Sequence, residues 1–261
     1  MWMLLLGCLV DCEPGFEERG GHCYWVEDAA GPESLLLEAL QAPLPDPLST
    51  IARYQEWTQG GDSSCPSAVD GVWDTLGCTS GTGMDFSGKA LLFWVTEAEP
   101  QTGQMAIDVA LVSAATMRQG ERSLQAGGIT SLDARAQEQG YLIRAAVTGD
   151  FFENPAQQPW MAQGLGQSFY VALDTATGEM ELDGGIAQPS ADLYFDRVQV
   201  VDGCPTGSVL VHEHLAQGWT ELAWECGCGT VISGPLEGQE ICAPLAERAA
   251  ELDAVLRQAL P

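Results

Sequence analysis

Lysine is almost missing from this chain. Lys89 is the single one, and with nine arginines the basic total reaches only 10 against 37 acidic residues, for a formal net charge of −27. A surface so negative repels phosphate backbones and anionic headgroups, which excludes nucleic acid as a partner and electrostatic docking to a membrane. Histidine is scarce too, with His22, His212 and His214 the full set. After the first ten residues no stretch approaches the roughly 20 apolar residues that a membrane span needs. Also missing are a Gly-x-Ser-x-Gly elbow, a phosphate loop, a zincin helix and a dinucleotide fingerprint. What the chain does have is apolar bulk. Hydrophobic residues make up 46% of 261 positions and charged residues 18%, so it folds, as one large domain or two small ones.

Nine cysteines stand at positions 8, 12, 23, 65, 78, 204, 226, 228 and 242. Leu5-Leu6-Gly7-Cys8 resembles the lipobox of bacterial lipoprotein signal peptides, which implies that Cys8 is lipidated and becomes the first mature residue. Two departures stand beside the resemblance: no basic residue precedes Arg19, and the apolar stretch before Cys8 is short. Either the true start lies upstream of Met1 or the segment is an apolar N-terminal strand. Setting Cys8 aside leaves an even number, Cys12, Cys23, Cys65, Cys78, Cys204, Cys226, Cys228 and Cys242, which suits disulfides in an oxidising compartment.

Cys12 and Cys23 bracket the turn signals Pro14-Gly15 and Gly20-Gly21. With Tyr24 following, the pattern resembles the first hairpin of long-form C-type lectin domains over about thirteen residues. The family's tryptophan-centred core motif and calcium-binding triplets have no later counterpart, and the segment reads as a lone disulfide hairpin. The organisation expected is a signal remnant over 1–8, a disulfide hairpin over 9–26, an acidic, proline-rich spacer with short helices over 27–62, and a β-rich domain over 63–261. Within the spacer, helices are expected around Glu33–Ala42 and from Ser49 through Ile51, Tyr54 and Trp57 to Gly60-Gly61.

Beyond Cys65 the apolar period becomes two. Met105, Ile107, Val109 and Leu111 alternate with smaller or polar neighbours, and Phe169–Asp174 and Glu179–Asp183 flank a turn at Thr175–Gly178. Further strands are expected at Ala90–Thr96, Tyr141–Thr148, Asp192–Val201, Ser208–His214 and Thr220–Cys228. Leu245, Ala249, Leu252, Leu256 and Leu260 fall at helical spacing. The fold class expected is therefore mainly β: an antiparallel sandwich or barrel-like domain with a few short helices and a C-terminal amphipathic helix.

A weak internal echo runs Cys-Pro-Ser/Thr, Trp, Cys-x-x-Gly-Thr, Ser-Gly, once from Cys65 and once from Cys204. Cys65–Cys78 closes a short loop. Cys226–Cys228 is disfavoured because residues i and i+2 of a strand aim their Cβ atoms poorly for a bridge. The echo aligns Cys226 with Cys78, so Cys204–Cys226 and Cys228–Cys242 are the pairings expected. The hairpin, proline stretch and Cys-Pro modules together resemble uncharacterised secreted lipoproteins of myxobacterial type, a resemblance that implies a lipid anchor and no particular activity.

Few constellations point to chemistry. His212 and His214 share a strand face and, with Cys226 and Cys228, would make a four-ligand zinc set, although Cys-x-Cys in an oxidising compartment is more often two half-cystines. Asp174, Glu179, Glu181, Asp183, Asp192 and Asp196 gather around one hairpin and the next strand, but carboxylates are so abundant here that a solvated acidic face is the default. Gly61-Asp62-Ser63-Ser64 is read as a turn. Of the tryptophans, Trp94, Trp219 and Trp224 are expected in the core, whereas Trp25, Trp57 and Trp160 fall in loops or helix ends, where exposed rings would stack on sugars or a partner. The function expected is a lipid-anchored envelope protein, placed at the outer membrane, with a non-enzymatic binding or structural role toward a protein or glycan. The alternatives are an exported carbohydrate hydrolase and a metal-binding envelope protein. No catalytic residue and no cofactor are singled out.

Overall fold

Period-two alternation with glycine-bearing turns drives the chain into a meander, since consecutive antiparallel strands need only short connections. The computed structural model describes residues 16–19, 22–25, 32–98, 104–149, 151–154, 167–188, 191–213 and 218–260. Strands β1 (Phe16–Arg19) and β2 (His22–Trp25) pair as a hairpin of their own, with Glu18 opposite Cys23. All later strands belong to one antiparallel sheet: β3 (Val72–Thr79), β4 (Asp85–Ala98), β5 (Met105–Gln119), β6 (Arg122–Ala136), β7 (Tyr141–Gly149), β8 (Phe151–Asn154), β9 (Gln167–Asp174), β10 (Met180–Ala187), β11 (Ala191–Val201), β12 (Cys204–Glu213), β13 (Gly218–Glu225), β14 (Gly229–Ser233) and β15 (Glu240–Ile241). The spatial order is β15-β14-β13-β12-β11-β10-β9-β7-β6-β5-β4-β3, with β8 paired on β6 beside that path. β3 and β15 are its two edges, and the sheet does not close. The mainly β, antiparallel class with a C-terminal helix is thus the one the alternation and the helical spacing predict.

One face of this sheet is the core. Val109, Leu132, Ala145, Val171 and Leu182 stand in register across five strands, and all are buried. Three helices cover that inner face: α1 (Pro32–Gln41), α2 (Pro47–Thr58) and α3 (Leu245–Leu256), the last running into a 3-10 turn over Arg257–Ala259. α2 begins where Asp46 accepts a hydrogen bond from Ser49 N at 2.6 Å and Pro47 occupies the first turn. Its Ile51, Tyr54 and Trp57 are buried at three-residue spacing. Trp73 Nε1 donates to Tyr54 Oη at 2.7 Å, and Trp73 meets Phe86 edge to face. Glu153 of β8 binds both Arg53 of α2 and Arg122 of β6, and the Arg122 guanidinium lies 5.4 Å from the Trp57 ring.

These contacts correct two expectations. Residues 32–58 are not a spacer held off the β domain, because Leu36, Ala39, Leu40, Ile51, Tyr54 and Trp57 belong to its core. Trp57, expected in a position free to stack, is 5% exposed. The prolines that suggest a linker cap a helix whose apolar stripe needs a sheet to bury it.

Backbone crowding also shapes the sheet. Gly128 has φ 106° inside β6, and a Cβ there would collide with the Thr148 carbonyl of β7, so only glycine fits. Three cysteine pairs stand at bonding distance: Cys65–Cys78, Cys204–Cys226 and Cys228–Cys242, with Cα separations of 5.7, 4.6 and 4.2 Å. They are the three pairings favoured by spacing and by the internal echo. The first closes the connection between α2 and β3; the last ties the β13–β14 turn to the segment before α3. Loops of this length stabilise by about 3 kcal/mol each in the chain-entropy account.

Candidate binding surface

The opposite, outer face of the sheet carries no helix among the described residues, and its composition changes from one half to the other. Along β9–β13 the side chains facing outward include Tyr170, Glu181, Asp183, Tyr194, Asp196, Leu210, His212, Trp219 and Glu221. Register brings them together. Tyr170 is opposite Asp183, Gly185 is opposite Tyr194, Tyr194 opposite Leu210, and Leu210 opposite Glu221; Asp192, His212 and Trp219 form the adjoining row.

The Tyr194 ring needs room, and Gly185 supplies it. A Cβ at Gly184, where φ is 93°, would collide with the Ser168 carbonyl oxygen at 1.8 Å before reaching the Tyr170 ring at 3.3 Å, and one at Gly185 would meet the Tyr194 ring at 3.1 Å. The Tyr194 and Trp219 centroids lie 5.8 Å apart at a 43° tilt, and His212 stacks on Trp219 at 4.4 Å. His212 Nδ1 lies 3.6 Å from the buried Asp192 carboxylate, which orients the imidazole under the indole. Burial, and then the nearby Asp192 charge, push the Tyr194 hydroxyl above its ordinary pKa, so it remains a donor at neutral pH. Tyr170 and Trp219 are each 46% exposed, and Ile232 of the neighbouring β14 is 47% exposed. Exposed aromatic and aliphatic area concentrated on one sheet face is the signature of an interaction surface.

Trp219 therefore corrects the expectation that it lies in the core, as does Trp94 at 53% exposure. Trp224 is buried at 2%, with Leu222 beside it on the inner face. A signal for this was present: Trp219 and Trp224 are an odd number of residues apart, so a regular strand cannot place both on one face. Tyr170 and Tyr194 were not singled out from sequence, although each sits at an outward position of an alternating strand.

The other candidates disperse. Cys226 and Cys228 are used in disulfides with Cys204 and Cys242, so the zinc set that would have included His212 is not assembled. No group of three or more potential metal ligands occurs among the described residues. Cys8, Cys12, Trp160 and His214 lie outside those residues. Asp62 builds a turn, as read: its carboxylate accepts from Gly81 N, Ser64 N, Ser64 Oγ and Cys65 N, which holds its pKa well below the carboxylate range. Asp174 caps the β9–β10 turn by accepting from Ala176 N at 2.8 Å. A cleft of about 340 Å³ between the α1–α2 connection, Phe151 and Ile186–Gln188 has Asp46 as its single carboxylate, already engaged as the α2 cap. Paired carboxylates, which glycoside hydrolysis requires, do not converge there. No helix of the described residues is long and apolar enough to cross a membrane. No protein-family model, curated protein or solved structure matches this chain.

Proposed function

We propose that this protein is a non-enzymatic binding module of a bacterial envelope, anchored by lipid at Cys8, placed at the outer membrane, and engaging a macromolecular partner through the outer face of β9–β13. The observation that carries the binding role is the aromatic strip on that face. Tyr170, Tyr194 and Trp219 stand on one face with no covering element among the described residues, and Gly185 leaves space beside the Tyr194 ring. Three cysteine pairs at bonding distance support an oxidising compartment, and the lipobox-like start supports the anchor.

Two experiments test the two parts. A photo-crosslinking residue placed at 170 or 219 in cells is expected to trap a partner, and one placed at 112 or 129, on the other half of the same face, is not. Crosslinks that arise only from 112 and 129 would move the surface to the other half. Palmitate labelling is expected in the full-length chain and lost in Cys8→Ser; label in neither removes the anchor.

A further inference from the structure

We infer that the partner docks on the outer face of β9–β13 through a basic, extended polypeptide segment whose Lys or Arg side chains recur at every second residue. This rests on that face being the binding surface, and it names the chemistry of what binds there. The first ground is charge. Outward positions on these strands hold Glu181, Asp183, Asp196, Glu221 and Glu225, and Asp192 lies among the rings. Among the described residues the one arginine on this part of the face is Arg197, at the bulge of β11, and it is spent on Asp196 at 3.5 Å. Carboxylates interleaved with exposed rings bind cationic side chains by two routes together, ion pairing and attraction of the cation to the ring face.

The second ground is the state of the rings. A sugar stacks on a free ring face, but Trp219 has one face taken by His212 at 4.4 Å and Tyr194 tilted against it at 5.8 Å. What remains is rims, a single open indole face and the carboxylates beside them, which suits side chains that end in a charge. The third ground is spacing. β10 and β13 are three strands apart in the sheet, or about 14 Å at the usual strand separation. In an extended chain laid across the strands, residues i, i+2 and i+4 span about 13–14 Å on one side. Register through Gln199 and Thr206 sets Glu181 of β10 and Glu225 of β13 in one such row, so alternate basic residues would reach Glu181 at one end and Glu225 at the other, with Asp183 and Glu221 one step to the side.

Calorimetric titration of the intact protein with a (Lys-Gly)5 peptide tests this. Because a chain of charge −27 attracts any polycation, the deciding comparison is between two charge-matched triple variants. Glu181→Gln/Asp183→Asn/Glu225→Gln is expected to weaken binding at least tenfold. Asp74→Asn/Glu97→Gln/Glu138→Gln, exposed and away from β9–β13, is expected to weaken it less than threefold. Trp219→Ala is expected to lose several-fold with an unchanged salt slope, since it removes ring contact and no charge. Equal losses in the two triple variants overturn the inference, as does absence of wild-type binding. A parallel titration with chitopentaose, an uncharged N-acetyl glycan, separates the two levels. Glycan binding that is lost in Trp219→Ala, without peptide binding, keeps the surface and overturns the basic segment. Binding of neither probe, together with no crosslink from 170 or 219, overturns the surface as well.

Discussion

The outer face of the sheet has two halves that spend their charges differently. On β4–β7, Lys89, Arg118, Arg135 and Arg144 point outward among Leu91, Phe93, Val95, Val112 and Ile129. Arg135 binds Asp108 at 3.0 and 3.2 Å and Asp133 at 2.5 Å, so the acids there are matched by cations. Hydrogen bonds from Arg135 hold Asp108 below its ordinary pKa; burial, and then the neighbouring Asp108, raise Asp133. On β9–β13 Arg197 is the one arginine beside the acids among the described residues, and tyrosine and tryptophan rings take the place of a mainly aliphatic patch. With only 10 basic residues in the chain, where they are placed decides which surface stays uncompensated. A uniformly acidic surface would indicate solubility. A surface neutralised on one half and left acidic, with rings, on the other supports the proposed placement of the binding surface on β9–β13.

The largest effect that would break this picture concerns β13, which has one tryptophan on each face. Trp224→Ala is expected to cost about 3–5 kcal/mol in denaturant unfolding, the price of emptying a buried site. Trp219→Ala is expected to stay within about 0.5 kcal/mol because its ring supports no core packing. Similar costs for the two would mean that the outer rings hold the fold together and are not held ready for a partner.

Next in size is the ion network of the matched half. Arg135→Leu removes the guanidinium that binds both Asp108 and Asp133, leaving Arg144 opposite Asp133, and a loss of about 1 kcal/mol is expected, reduced from that of a buried pair by partial exposure. Arg197→Leu, on a side chain 75% exposed, should change stability by less than about 0.5 kcal/mol. A reversal would show that the charge asymmetry between the halves is not structural.

An effect no larger sharpens the comparison on the inner face. Glu213, at the end of β12, is 4% exposed, and its carboxyl oxygens have no hydrogen-bond partner among the described residues, so burial raises its pKa. The folded state then binds the proton more tightly than the unfolded state. Stability from this group is complete below the ordinary glutamate pKa and is lost as pH rises through the raised, folded value. Glu213→Gln should leave Tm unchanged at pH 4 and raise it by about 2–4 °C at pH 8, the equivalent of about 1 kcal/mol. Thermal scans at the two pH values check the sign; a gain at pH 4 alone would contradict it.

Legibility followed local signals. The β9–β10 hairpin was plain because alternation on both sides meets at Thr175–Gly178, and α3 because its leucines repeat at helical spacing. β6 was not recognised, although it pairs along nearly its whole length with β5: Gly127-Gly128 sits in its centre and its inner side chains include only Leu124 and Leu132 as large apolar groups. Its strand character comes from its neighbours, which is tertiary information. The aromatic surface was half legible. Alternation tells which residues share a face, but which face the helices cover depends on α1 and α2 folding back across the sheet, and the prolines near α2 argued locally for a spacer.

The indole N–H signals of Trp94 and Trp219 put the claim to its most direct test. Both side chains are about half exposed, Trp219 on the outer face of β13 and Trp94 in the other half of the sheet, on the opposite face across from Val109. In a proton–nitrogen correlation spectrum titrated with (Lys-Gly)5, the account predicts that the Trp219 signal shifts progressively to saturation while that of Trp94 stays in place. Equal movement of both signals, or movement of Trp94 alone, would contradict it.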